Sequence, residues 1–117
     1  MRRALLLVVL LAAGCGGSGA SGPAHVDPAT AIGLNGDEVV VRGFFSHERG
    51  ETLPRMCSSL AESYPPSCSM PSLPVSNLSG KAEQGLRLTR DPETGARWST
   101  HEVELSGRIE NGALIVK

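Results

Sequence analysis

The chain has 117 residues, which is room for one small domain, and 40% of them are hydrophobic. That apolar share is front-loaded into residues 1–14, and the aromatics are only Phe44, Phe45, Tyr64 and Trp98, so what remains builds a thin core rather than a large enzyme cleft. Formal charge is -1, and without Arg2 and Arg3 nine basic residues face twelve acidic ones, which argues against a basic nucleic-acid binder.

Met1-Arg2-Arg3 is a short cationic start, and Ala4 to Ala13 is an unbroken apolar run. Gly14 and Cys15 follow. A charged n-region, an apolar h-region and small residues at the cut make an export signal over residues 1–14. Crossing ~30 Å of hydrocarbon takes ~20 apolar residues, so the run is too short for a membrane span. A buried helix of the domain fits poorly, because the run is apolar on every face and a Gly-rich stretch follows at once.

Leu11-Ala12-Ala13-Gly14-Cys15 resembles the lipobox of bacterial lipoproteins. Ala12 stands where that family prefers Leu, while Ala13 and Gly14 fit. The resemblance implies a cut by signal peptidase II between Gly14 and Cys15. It also implies diacylglycerol on the Cys15 thiol and an amide-linked acyl chain such as palmitate. Two or more chains make a durable anchor where one is marginal. The alternative is ordinary cleavage near Gly14 with Cys15 left as a free thiol. Arg2-Arg3-Ala4-Leu5-Leu6 also resembles a reduced twin-arginine signal, but the short n-region and strongly apolar h-region favour the general secretory route.

The implied address is the extracytoplasmic face of a cell membrane, held through Cys15. Gly16, not Asp, follows the lipidated Cys. It therefore lacks the residue that resembles an inner-membrane retention signal, and in a diderm the outer membrane is open to it.

Lipidation of Cys15 leaves Cys57 and Cys68, which outside the cytoplasm have only each other. A structural disulfide is expected there. Closing a loop of this length contributes on the order of 3 kcal/mol in the chain-entropy account. A redox pair would sit two residues apart at a helix start. Here the spacing is longer and includes Pro65-Pro66. Two cysteines and the scattered His25, His47 and His101 are too few for a zinc site. Each histidine reads as a solvated surface residue.

Residues 16–24 are Gly- and Ser-rich and read as a flexible tether spanning ~15–18 Å. Residues 25–36 read as transitional, with Asn35-Gly36 as a turn, so lipidated Cys and tether are placed over 15–34 and the domain over 35–117. Glu38 to Phe45 is the best strand. Val39, Val41, Gly43 and Phe45 share one face, and the interior Gly marks a bulge or bend. Ser46 to Glu51 reads as a turn. Thr52 to Cys57 reads as a short irregular strand. Ser58 to Ser63 has room for one helical turn. Tyr64 to Pro74 holds four prolines and reads as a loop pinned by the disulfide.

Leu73, Val75 and Leu78 predict a third strand. Gly85 to Thr89, where Leu86 and Leu88 alternate with Arg87 and Thr89, predicts a fourth. Asp91-Pro92-Glu93-Thr94-Gly95 is a strong turn, and Trp98 is expected in the core or at its rim. Glu102 to Ile109 alternates, Asn111-Gly112 is the favoured type I′ pair, and Ala113 to Val116 returns. No long helical period appears after the signal.

Five short strands predict a mostly β domain, a small OB-like barrel with one disulfide-pinned loop. A small immunoglobulin-like β-sandwich is the alternative, though it usually needs ~100 residues. Val39-Val40-Val41-Arg42-Gly43 and Val103-Glu104-Leu105-Ser106-Gly107-Arg108-Ile109 are similar to OB-like domains of exported bacterial proteins. Cys57-Ser58-Ser59-Leu60-Ala61-Glu62-Ser63-Tyr64-Pro65-Pro66-Ser67-Cys68 resembles a segment of small bacterial lipoproteins, a group that implies no activity.

No nucleophile elbow, phosphate-cradling Gly loop or metal-ligand spacing is present, so neither an enzyme nor a cofactor is expected. Glu102 and Glu104 share a strand face and read as solvent-facing. Arg87, Arg90, Arg97 and Arg108 cluster in sequence. Either they face one side and meet anionic lipid or a cell-wall polymer, or they are solvated and paired with Glu93, Glu102, Glu104 and Glu110. The expected function is a binding or accessory module of the cell envelope, with a protein or polymer partner on the loop from Ser58 to Pro74 or on the barrel face. The alternative is a structural or stress-protective envelope component without a specific ligand.

Overall fold

A computed structural model describes residues 22–117. The expected signal peptide, the cleavage site and Cys15 lie outside them. Eight strands follow in chain order: β1 Ala24–Val26, β2 Glu38–His47, β3 Arg55–Cys57, β4 Leu73–Ser76, β5 Thr89–Arg90, β6 Arg97–Trp98, β7 Val103–Glu110 and β8 Ala113–Val116. Two short helices join them, α1 Pro28–Ala31 and α2 Gly80–Gly85.

β2, β3, β4, β8 and β7 close on one another as a barrel. β2 pairs antiparallel with β7 through residues 38–43, then with β3 through residues 44–46. β3 pairs antiparallel with β4, β4 parallel with β8, and β8 antiparallel with β7. One parallel pairing in an otherwise antiparallel ring makes the barrel mixed. Its order is OB-like, as the short alternating strands predicted, and the sandwich alternative is excluded by closure. β1 adds in parallel to the first half of β2. The β5–β6 pair adds to the far end of β2.

Period-two side-chain alternation builds the interior. Val103, Leu105, Gly107 and Ile109 point in, and the residues between them point out. Val39, Val41, Gly43 and Phe45 line the inner face of β2 as expected. Phe45, Met56, Leu73, Ile109 and Leu114 are fully buried. Burying each such side chain contributes about 1.5–3 kcal/mol.

Gly43 and Gly107 are required by close approach. A Cβ on Gly43 would lie 2.7 Å from both the Cys57 carbonyl oxygen and Pro28. One on Gly107 would lie 2.2 Å from the Ile115 carbonyl oxygen. β2 thus changes partner from β7 to β3 at its glycine, where the strand turns over a barrel corner. Just past that point the Phe45 N–H donates to Ser99 Oγ at 2.9 Å, and Ser99 N–H donates to the Phe45 carbonyl at 2.9 Å. Both groups are buried, and a buried backbone N–H without a partner is costly.

Several sequence expectations need correction. The tether does not extend to residue 34: β1 and α1 fall inside it, and Ala31 is fully buried. Asp27 caps α1 by accepting from Thr30 N–H at 2.8 Å, with Pro28 preset for the first helical turn. α1 then packs against β2, β3 and β4. The second correction concerns residues 80–90. The predicted strand over 85–89 is mostly the end of α2 and its exit, and only Thr89–Arg90 is strand. Ser79 caps α2 by accepting from Ala82 N–H at 3.0 Å, ahead of good helix formers.

Ser58 to Ser63 forms no helical turn. Instead Cys57 and Cys68 are bonded, with Cα atoms 5.5 Å apart. A small ladder zips the loop beneath the bond: Ala61 N–H donates to the Ser67 carbonyl at 2.7 Å and Ser69 N–H to the Ser59 carbonyl at 3.1 Å. The last hairpin turns as predicted, with Asn111 at φ 52° and Gly112 at φ 73°.

Candidate functional site

α2 is a helix without a core role. It buries no residue. It lies beside the β5–β6 pair, and between them opens a groove of about 480 Å³. Gly80, Glu83, Gln84, Arg87, Leu88, Arg90 and Arg97 line it. Three guanidinium groups face one carboxylate.

Arg97 is held in place. Its Nε donates to Glu83 Oε2 and its Nη2 to Glu83 Oε1, the latter at 3.4 Å. Nη2 also lies 2.8 Å from Nδ1 of His47. Arginine only donates, so Nδ1 accepts and the ring proton sits on Nε2. From there it donates to the Glu51 carbonyl at 3.0 Å. One network thus ties α2, β6, the end of β2 and the β2–β3 loop together. Glu83 and His47 also line a second hollow of about 240 Å³ with Leu53, Pro54 and Asn77.

Asp91 anchors the turn that joins β5 to β6. Its Oδ2 accepts from Thr94 Oγ1 at 2.6 Å and from Thr94 N–H at 3.1 Å. These bonds favour the charged form and lower the Asp91 pKa from the usual aspartate value.

The sequence-level candidates sort as follows. Arg87, Arg90 and Arg97 do come together on one groove, while Arg108 lies apart on β7 and pairs with Glu38 at 3.5 Å. The expected partners were different residues: Glu102 and Glu104 flank Arg42, at 2.9 and 3.5 Å. Those exposed pairs contribute little, typically under about 1 kcal/mol. Glu102 and Glu104 do face solvent, as their period-two spacing predicted. His25 and His101 are exposed, but His47 is half-buried and bonded at both nitrogens rather than solvated. Among the described residues no group of three metal-binding side chains forms.

The loop from Ser58 to Pro74 raises Tyr64 and Met70 into solvent, at 75% and 80% exposure. Tyr64 meets Trp98 edge-on with ring centres 5.7 Å apart, and Trp98 is itself buried, as expected of a core or rim residue. Sequence reading missed Glu83 and His47 as parts of one site. Ser79 as a helix cap was the available signal, because it fixes the helix that carries Glu83 toward Arg97.

No family model, no curated protein and no solved structure matches the chain.

Proposed function

We propose that this protein is a lipid-anchored extracytoplasmic module of the cell envelope that binds its ligand in the groove between α2 and the β5–β6 pair. The observation that carries the reading is the Cys57–Cys68 bond in so small a domain. Structural disulfides form and persist in oxidising compartments. The sequence of residues 1–15 supports the same address, with Cys15 as the anchor. The groove offers three guanidinium donors, of which Arg97 is held in place, and an amide, which is equipment for recognition rather than bond-making. Both ring nitrogens of His47, its nearest imidazole, are engaged in holding Arg97.

Fractionation of the native host tests the address. The chain is expected in the membrane fraction, released by detergent and not by salt. Cys15→Ser is expected to move it to a soluble pool. A wild-type chain that fractionates as soluble, or a Cys15→Ser chain that stays membrane-bound, would overturn the anchor.

A further inference from the structure

Two of the groove's arginines sit where arginine is unfavourable. Arg90 and Arg97 are direct cross-strand partners in the β5–β6 pair. Like charges placed opposite one another repel. Arg87 leaves α2 with φ 57°. Glycine or asparagine takes that left-handed exit more easily. The opposition of Arg90 to Arg97 does not serve the barrel, since β5 is exposed throughout, whereas the turn at Arg87 lies between Leu86 and Leu88, which pack against the core. Among the described residues no carboxylate lies in salt-bridge range of Arg87 or Arg90. The only carboxylate in the groove, Glu83, is already engaged with Arg97. Like charges set opposite one another, with two guanidiniums unpaired beside the same hollow, point to a site kept for an anionic ligand.

We propose that this groove binds an oxyanion, a phosphate or carboxylate borne on an envelope polymer. Arg87 and Arg90 are the free contacts, and Arg97, set by Glu83 and His47, is the fixed third donor. Guanidinium forks match both oxyanions bidentately. Gln84 and Leu88 line the same hollow and suit the uncharged part of a repeat unit. The oxyanion rests on the groove alone, and the envelope polymer rests on the reading above.

The groove and the first described strand lie toward opposite ends of β2. The described chain enters along β1, where Ala24 pairs with Val39 at the start of β2. Arg97 pairs with His47 at the other end of β2. At ~3.3 Å per residue those positions are at most about 26 Å apart along a strand that bends at Gly43. The vesicle arm of the test below distinguishes a polymer-borne oxyanion from a lipid headgroup.

The test uses the full chain in phosphatidylcholine nanodiscs. The probes are a glycerol-phosphate oligomer, an oligogalacturonate, neutral dextran and phosphatidylglycerol vesicles. At least one charged oligomer is expected to bind, more weakly as salt rises, and dextran is not. Binding of the phosphate or of the carboxylate oligomer identifies the source of the oxyanion. Arg87→Glu and Arg90→Glu are each expected to lower affinity about tenfold or more, as loss of a charge-assisted bond does. Arg108→Glu, outside the groove, is expected to keep affinity within about threefold. Arg90 is an exposed strand residue, so Arg90→Glu decides the matter if Arg87→Glu fails to fold. Equal loss in Arg108→Glu, no binding of either oligomer, or binding to the vesicles alone would overturn the site. A chain found in the cytoplasm that still binds an oligomer would sink the envelope reading and leave the oxyanion site standing.

Discussion

Gly107 is the residue on which barrel closure is most sensitive. β7 and β8 approach so closely there that a Cβ would sit 2.2 Å from the Ile115 carbonyl oxygen. Gly107→Ala is predicted to cost about 3 kcal/mol, since backbone and not a movable side chain is in the way. Thermal melting should drop by roughly 12–24 °C. Gly85→Ala is the matched control, because nothing lies within 4 Å of its added Cβ, and its melting point should hold or rise slightly. Asp91 sets a second prediction at this scale. Its pKa is lowered by the Thr94 bonds. A depressed carboxylate contributes stability above its unfolded pKa and loses it as pH falls through the folded value. Asp91→Asn should therefore flatten the acid-side fall in melting temperature, measured from neutral pH to below the usual aspartate range. An unchanged acid slope would contradict the assignment.

At the scale of elements, the strands that sequence could reveal are those long enough to alternate. β2 and the β7–β8 hairpin were legible because eight or more residues repeat one inward face, and Asn111-Gly112 fixes the turn between β7 and β8. α1 was not legible, since four residues carry no helical period, although Asp27 and Pro28 are its start signals. The strand expected over 85–89 rested on a real alternation, since Leu86 and Leu88 pack against the core while Arg87 and Thr89 are exposed, but the left-handed turn at Arg87 breaks the ladder there. The groove was half legible. The arginines cluster in sequence, but the opposition of Arg90 to Arg97 depends on a two-residue ladder too short to leave a pattern. The disulfide loop was read directly from cysteine number and compartment. Replacing both Cys57 and Cys68 by Ala is predicted to cost about 3 kcal/mol. Residues 58–72 should become the first site of proteolysis, while hydrogen exchange in β2 and β7 stays slow until global unfolding. A loop that remains protected in that double variant would show that its own ladder, not the bond, holds it.

The described residues form a small closed barrel that commits its interior to packing, with the proposed ligand groove on an added edge. Phe45, Met56, Ile109 and Leu114 fill the inside, so a ligand has no route through the core. α2, β5 and β6 lie outside the five-stranded ring, and the arginines that line their groove are not among its buried residues. The first described strand, β1, pairs with the other end of β2. The proposed envelope role requires export, anchoring and oxidation, and the three share one direct readout. Intact mass of the membrane-purified protein, alkylated before and after reduction, reports all three. The account predicts a mature chain beginning at Cys15, heavier by diacylglycerol and an acyl chain, that takes up two alkyl groups only after reduction. A chain that keeps residues 1–14, or one whose Cys57 and Cys68 alkylate without reduction, would contradict it.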